Sequence, residues 1–252
     1  MSRCSYKRNM CKTIEWYIPK KNIKIENNEV HIWLASLNID RTFVETLKKI
    51  LSEDEIKRAE KFYFQKDRNH FIACRGILRN ILGFYLNINP GEIKFSYNPY
   101  GKPSLNETEK KLSFNLSNSH GMAIYGITCN RDIGIDIEHI PKDFSWEDIV
   151  KNFFSEKEIR SLYQIPTHLQ KKAFFNGWTR KEAYIKAKGK GLSIALDSFD
   201  VSLTPGKPAE LLEVRGEEKS RWFLKEIILD PDYVSAIAVE SHNLKFKYWK
   251  FI

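Results

Sequence analysis

Apolar positions along this chain change period several times. Residues 29–37 (E-V-H-I-W-L-A-S-L) alternate and predict a strand. Over residues 41–51, Phe43, Val44, Leu47, Ile50 and Leu51 recur at helical spacing. Ser52 followed by Glu55 forms a capping box, so a second helix starts there and runs to about Phe64. A third helix is predicted over 66–86, with Phe71, Ile72, Leu78, Ile81, Leu82 and Tyr85 inward. Asn89-Pro90-Gly91 reads as a turn, and short strands follow near 93–96, 112–117 and 122–128. The turn Asn130-Arg131-Asp132 marks the boundary between two halves. Beyond it Ile133, Ile135 and Ile137 alternate with Gly134, Asp136 and Glu138. On a strand the isoleucines share one face and the carboxylates the other. Helices are predicted near 145–152, 155–163 and 168–188, the last ended by Gly189 and Gly191. Strands near 198–203, 221–228 and 233–240 follow. The expected class is α+β with antiparallel strands. It divides into a tail and lead-in (1–28), an N-terminal half (29–130) and a C-terminal half (131–252).

The chain has 252 residues, of which 42% are hydrophobic and 13% aromatic, enough for a real core in one large domain or two small ones. No apolar run approaches a membrane span. Arg3, Lys7, Arg8 and Lys12 are followed by no apolar stretch, which argues against a secretory signal. The four cysteines, Cys4, Cys11, Cys74 and Cys129, form no C-x-x-C pair and have no histidine at zinc spacing. They read as reduced thiols, and the expected location is the cytoplasm. A net charge of +9 favours anionic partners, but the lysines are scattered, which weakens a nucleic-acid reading.

Asp136 and Glu138 would stand side by side, within reach of one cation. Magnesium, a hard ion, takes oxygen ligands of this kind together with water and substrate phosphate. The plainer reading is an edge strand whose polar face meets solvent. Gly134, on the same face, would leave room for a ligand close to the backbone. Glu182 and Lys186 stand four apart and share a helix face. As a surface ion pair they would contribute only about 0.3–0.5 kcal/mol. Their surroundings are unusual for a solvent face. Trp178 precedes Glu182 by one turn, and Lys181, Lys186, Lys188 and Lys190 crowd a Gly-containing helix end suited to a diphosphate.

These segments resemble the 4′-phosphopantetheinyl transferase superfamily, in its surfactin-synthetase-activating, two-halved class. Ile133-Gly134-Ile135-Asp136 is similar to its [I/V]-G-[I/V]-D motif. Trp178, Lys181, Glu182, Ala183, Lys186, Gly189 and Gly191 match W-x-x-K-E-[A/S]-x-x-K-x-x-G-x-G. Phe154-Ser155-Glu156-Lys157-Glu158 fits the F-[F/S]-x-x-E element between them. Gly101-Lys102-Pro103 is similar to the G-K-P element that packs against adenine, and Phe114-Asn115-Leu116-Ser117 to F-N-[I/L/V]-S. R-A-E-K-F and A-C-R-G-I-L-R resemble segments that contact coenzyme A phosphates, with Arg58 and Arg75 as carriers. The chain departs from the family after Ser117: Asn118 stands where a histidine is usual, and His120 follows two places later.

The resemblance implies transfer of the phosphopantetheine arm of coenzyme A to a serine of an apo acyl or peptidyl carrier, leaving adenosine 3′,5′-bisphosphate. It implies magnesium, or manganese on the same ligands, held by Asp136, Glu138 and Glu182. Lys186, with Lys181, would add fixed positive charge, and Glu182 would act as base. Arg58, Arg75 and Lys102 would clamp the nucleotide end, with Pro103, Ser117, Asn118 and Lys190 also at coenzyme A. The two-halved length implies a monomer, with no nucleic-acid or membrane partner. Two other readings stay open: another magnesium-dependent phosphoryl or nucleotidyl transferase, and a nucleic-acid module suggested only by charge and aromatic content.

Overall fold

The computed structural model describes residues 14–19, 23–106, 112–216 and 218–252. Cys4, Cys11, Arg3, Lys7, Arg8 and Lys12 lie outside the described residues. The first half opens with strand β1 (Glu29–Ser36) and three helices, α1 (Arg41–Lys48), α2 (Glu53–Glu60) and α3 (Gln65–Leu86). A small hairpin follows, β2 (Phe95–Tyr97) and β3 (Pro103–Leu105), then β4 (Leu112–Ser119) and β5 (Met122–Cys129). The second half repeats this order. Strand β6 (Ile133–His139) leads into α4 (Glu147–Phe153), α5 (Glu156–Gln164) and α6 (Thr167–Lys188). The hairpin β7 (Phe199–Val201) and β8 (Leu211–Val214) precedes β9 (Trp222–Glu226) and β10 (Tyr233–Glu240). Strand β11 (Lys245–Lys250) comes last.

Strand adjacency is the same in the two halves. The first sheet contains β1-β5-β4 and the second is β6-β10-β9. In each, the opening strand pairs antiparallel with the closing one, which pairs with its predecessor. The class is therefore α+β. Strand β11 departs from the expected all-antiparallel pattern and crosses the expected boundary between halves. It pairs in parallel with β1, from Glu29↔Lys245 to Leu34↔Lys250. Phe246 and Tyr248, alternating with lysines, pack on the core between the sheets. The helix predicted to reach Phe64 stops at Glu60, because Phe64 is extended and starts the next helix.

The architecture is helices, sheet, sheet, helices. One apolar core lies between the first sheet and α1–α3, and another between the second sheet and α4–α6. A third, formed by Val30, Ile32, Ile124, the three isoleucines of β6, Ile237 and Val239, joins the two sheets. The isoleucine face of β6 is thus core, as its alternation predicts. Its carboxylate face lies under α6. A Cβ added at Gly134 would come within 2.1 Å of the Ala183 carbonyl oxygen and 2.3 Å of the Ala187 nitrogen. The glycine therefore admits the helix backbone itself, and the space expected for a ligand is filled by α6. Among the described residues no helix is long and apolar enough to cross a membrane.

Candidate active site

Helix α6 brings Glu182 and Lys186 over Asp136 and Glu138 of β6, while β4 runs alongside. Asp136 is only 2% exposed. Its Oδ1 accepts from Lys186 Nζ at 2.6 Å and from Ser117 Oγ at 2.8 Å. Lys186 Nζ also donates to Ser117 Oγ at 3.0 Å. Two residues on, Ser119 Oγ donates to Glu138 Oε2 at 3.0 Å and accepts from the His139 backbone N–H at 3.1 Å. The Asn115 side chain accepts from the Ile135 N–H, fixing β4 against β6.

The cluster carries excess negative charge. Burial, with Asp136 beside it, pushes the Glu138 carboxyl up from 4.5 to about 7. Burial and then Asp136 also raise Glu182. Burial works against the Lys186 ammonium, but Asp136, Glu182 and Glu138 outweigh it and its pKa is raised. Asp136 Oδ2 is buried with no hydrogen-bond partner. An orphaned carboxylate oxygen among mutually repelling acids is the donor set a hard divalent cation satisfies, so these residues fit magnesium. They do not form a closed cage: among the described residues no three acidic, histidine or cysteine side chains converge as a ready metal centre. The cation now on Asp136 is Lys186.

Other expected site residues are placed differently. Lys181 is fully buried and points away from the β6 carboxylates, 2.7 Å from Glu158. Its Nζ also donates to the Leu196 and Phe199 carbonyls at 2.7 Å each. Three partners satisfy all three ammonium protons, so Lys181 has none for a diphosphate. Lys102 Nζ donates to the carbonyls of Ile133 (3.1 Å) and Ala187 (2.8 Å), and Asn98 Nδ2 to that of Gly189. The G-K-P loop, with Pro103 opening β3, is therefore a strap across the end of α6, and the Lys102 ammonium is engaged by main chain. Arg75 is buried on Glu55 at 2.6 Å and donates to the Tyr97 hydroxyl. It anchors α3 to α2 and is not an open phosphate clamp. Arg58 is exposed, with its guanidinium 5.7 Å from the Phe71 ring centre. Lys190 is exposed beyond the helix end. Asn118 is exposed, and Cys74 Sγ lies 3.8 Å from its Oδ1. His120 takes a left-handed conformation (φ 46°) and stacks on His139 at 4.1 Å.

Two recesses share Ser119 and His120, and the first of them is also lined by Glu138. One, of about 450 Å³, is walled by Glu138, Phe144, Phe174, Phe175 and Trp178. The other, of about 380 Å³, is lined by Lys66, His70, Phe71 and Asn118. Sequence reasoning missed Ser119. Its signal was the S-N-S alternation, which points Ser117 and Ser119 the same way along β4.

Known proteins resemble this chain along both of its halves. A model of the 4′-phosphopantetheinyl transferase superfamily matches residues 132–238, and one of the 4′-phosphopantetheinyl transferase N-terminal region matches residues 38–128. The chain is 38% identical to the 4′-phosphopantetheinyl transferase HetI of Nostoc sp. over 94% of its own length and 98% of the relative's. It is 30% identical to the 4′-phosphopantetheinyl transferase Sfp of Bacillus subtilis over 77% of its length and 84% of that protein's. A putative 4′-phosphopantetheinyl transferase of Synechocystis sp. is 31% identical over 66% of this chain and 67% of its own. With both halves matched, and one relative aligned over nearly its whole length, the chain belongs to the 4′-phosphopantetheinyl transferase superfamily.

Proposed function

We propose that this enzyme transfers the phosphopantetheine arm of coenzyme A to a serine hydroxyl of an apo acyl or peptidyl carrier. The observation that carries this reading is Asp136 itself, one oxygen bonded to Lys186 and the other orphaned, in a cluster with Glu182 and with Glu138, which lines an open recess. The serine oxygen bonds to the phosphorus that bears the pantetheine arm. The bond from that phosphorus to the bridging oxygen breaks, and adenosine 3′,5′-bisphosphate leaves with the electron pair.

Glu182 takes the serine proton. Burial, and then Asp136 beside it, raise its proton affinity, the direction that favours a general base. Lys186 supplies fixed positive charge where the leaving oxygens gather charge. Asp136, Glu138 and Glu182 are the residues that would hold magnesium, or manganese, which supplies further charge compensation on the diphosphate. The recess with Lys66, His70 and Asn118 suits the nucleotide phosphates, with the Arg58 guanidinium over the ring of Phe71, which lines it. The aromatic recess beside Glu138 suits the arm and the approaching carrier. Lys190, exposed at the helix end, is available to the diphosphate. Ser117 works through Asp136, while Lys181, Lys102 and Arg75 hold the frame. The enzyme's +9 charge favours an acidic carrier.

The test is intact-protein mass spectrometry of an apo carrier domain incubated with the enzyme, coenzyme A and magnesium. The expected result is a gain of one phosphopantetheine, lost when EDTA replaces magnesium. No gain across peptidyl, polyketide and fatty-acid carriers overturns the reading.

A further inference from the structure

The two acidic residues of β6 belong to the second half, yet each is hydrogen-bonded by a serine of β4, in the first half. We propose that Ser119, in parallel with Ser117, is a positioning residue for the metal carboxylates, so that the N-terminal half builds the outer shell of a site whose ligands lie in the C-terminal half. The inference rests on Asp136 and Glu138 being those ligands.

The direction of each hydrogen bond is fixed by the group behind it. A serine hydroxyl has one proton and two lone pairs. The His139 N–H donates to Ser119 Oγ, so the hydroxyl proton goes to Glu138 Oε2. The Lys186 ammonium donates to Ser117 Oγ, so that proton goes to Asp136 Oδ1. In both cases the serine, itself oriented by an N–H that donates to its oxygen, is a donor to a carboxylate. The outcome is that one oxygen of each acid is tied back toward β4. Glu138 is half-buried and borders the aromatic recess, where its side chain has several rotamers to choose from. Ser119 selects among them and leaves Glu138 Oε1 for a cation. Asp136 Oδ2, which has no protein partner, is the matching oxygen on the next ligand. Partners of this kind, behind metal ligands, typically change metal affinity about 10–100-fold when removed.

The test follows manganese binding to the enzyme with coenzyme A present and carrier omitted, so nothing turns over. The electron paramagnetic resonance signal of free manganese reports binding. Wild type, Ser119→Ala, Ser119→Thr and Glu138→Gln are compared, with melting temperatures measured in EDTA. The expected result is about 10–100-fold weaker manganese binding in Ser119→Ala, recovery in Ser119→Thr, which keeps the hydroxyl, and little change in the EDTA melting temperature. Unchanged affinity in Ser119→Ala, or a threonine variant as impaired as the alanine one, overturns the proposal. So does a melting temperature in EDTA that falls in step with affinity, because that marks a merely structural role. If wild type binds no manganese that Glu138→Gln loses, the metal assignment itself fails. Binding that is normal in wild type and unaltered in Ser119→Ala sinks only the positioning role.

Discussion

The two halves of this molecule share a frame and differ in what they do with it. Each places a capping box at its second helix, Ser52 with Glu55 and Ser155 with Glu158. Each has a 22-residue third helix that ends in a left-handed residue, Asn87 or Gly189. Counted from Gln65 and Thr167, Arg79 and Lys181 occupy the same position in these helices. Each reaches the buried glutamate of its own capping box, at 2.6 Å and 2.7 Å. The next residue is where the halves part. Asn80 bonds back to its own helix at the Gly76 carbonyl, whereas Glu182 turns to the carboxylates of β6. Further on, Phe84 stacks on Trp33 where Lys186 meets Asp136. The buried cation is thus common property of the frame, and the proposed base lies one residue beyond it. Lys181, adjacent to the proposed base and within the same motif, is by this comparison a structural residue.

The comparison can be broken most sharply by exchanging neighbours on α6. Glu182→Gln is expected to lower transfer by about 10²–10⁴-fold, the range for loss of a general base. Coenzyme A binding, measured by calorimetry, should stay near wild type; loss of binding in proportion to turnover refutes the base assignment. Lys181→Met should act on the fold first. It leaves Glu158 buried without its cation, an effect of about 3–5 kcal/mol. The melting temperature should fall and partly recover in the Lys181→Met, Glu158→Leu double variant; a stable protein with impaired coenzyme A binding would return Lys181 to the site. The gentlest test uses pH. Two arginines hold Glu55 below its ordinary value despite burial, so the stability it adds is present above the unfolded pKa and lost on acidification. Glu138 is shifted the other way. The stability it contributes below 4.5 is lost as pH rises through about 7. In EDTA, melting temperature against pH should therefore decline toward neutral pH in wild type and less so in Glu138→Gln. A slope identical in the two proteins would place the charge strain elsewhere.

Much of the frame was legible because its periods are long and clean. The alternation of β6 and the capping box of α2 located two elements directly. Short pieces were not legible. Hairpin strands β3 and β8 have three and four residues, too few to show a period. Strand β11 alternates only over its first four residues, K-F-K-Y, and its parallel partner lies at the other side of the sequence. At the site, spacing correctly grouped Glu182 with Lys186. Helical geometry also separates Lys181 from Glu182, since adjacent residues on a helix point about 100° apart. The use of Gly134 could not be read locally, because only the packed structure shows a helix backbone where a ligand had room. Lys102 was similarly opaque: its two carbonyl partners come from β6 and α6, far along the chain.

Strand β11 has a consequence for how the molecule is made. The edge of β1 that it covers belongs to the first half, yet its residues are translated after both halves. Pairing Glu29 with Lys245 closes a loop of more than 200 residues, the slowest kind of contact to form. Until then a growing chain carries a first sheet with an open, apolar-flanked edge, the feature on which stray strands add. Synthesis should therefore pass through a stage in which the early half has its helices and central strands but awaits its last strand. A chaperone engaged with β1 during that interval would be released by the arrival of six residues.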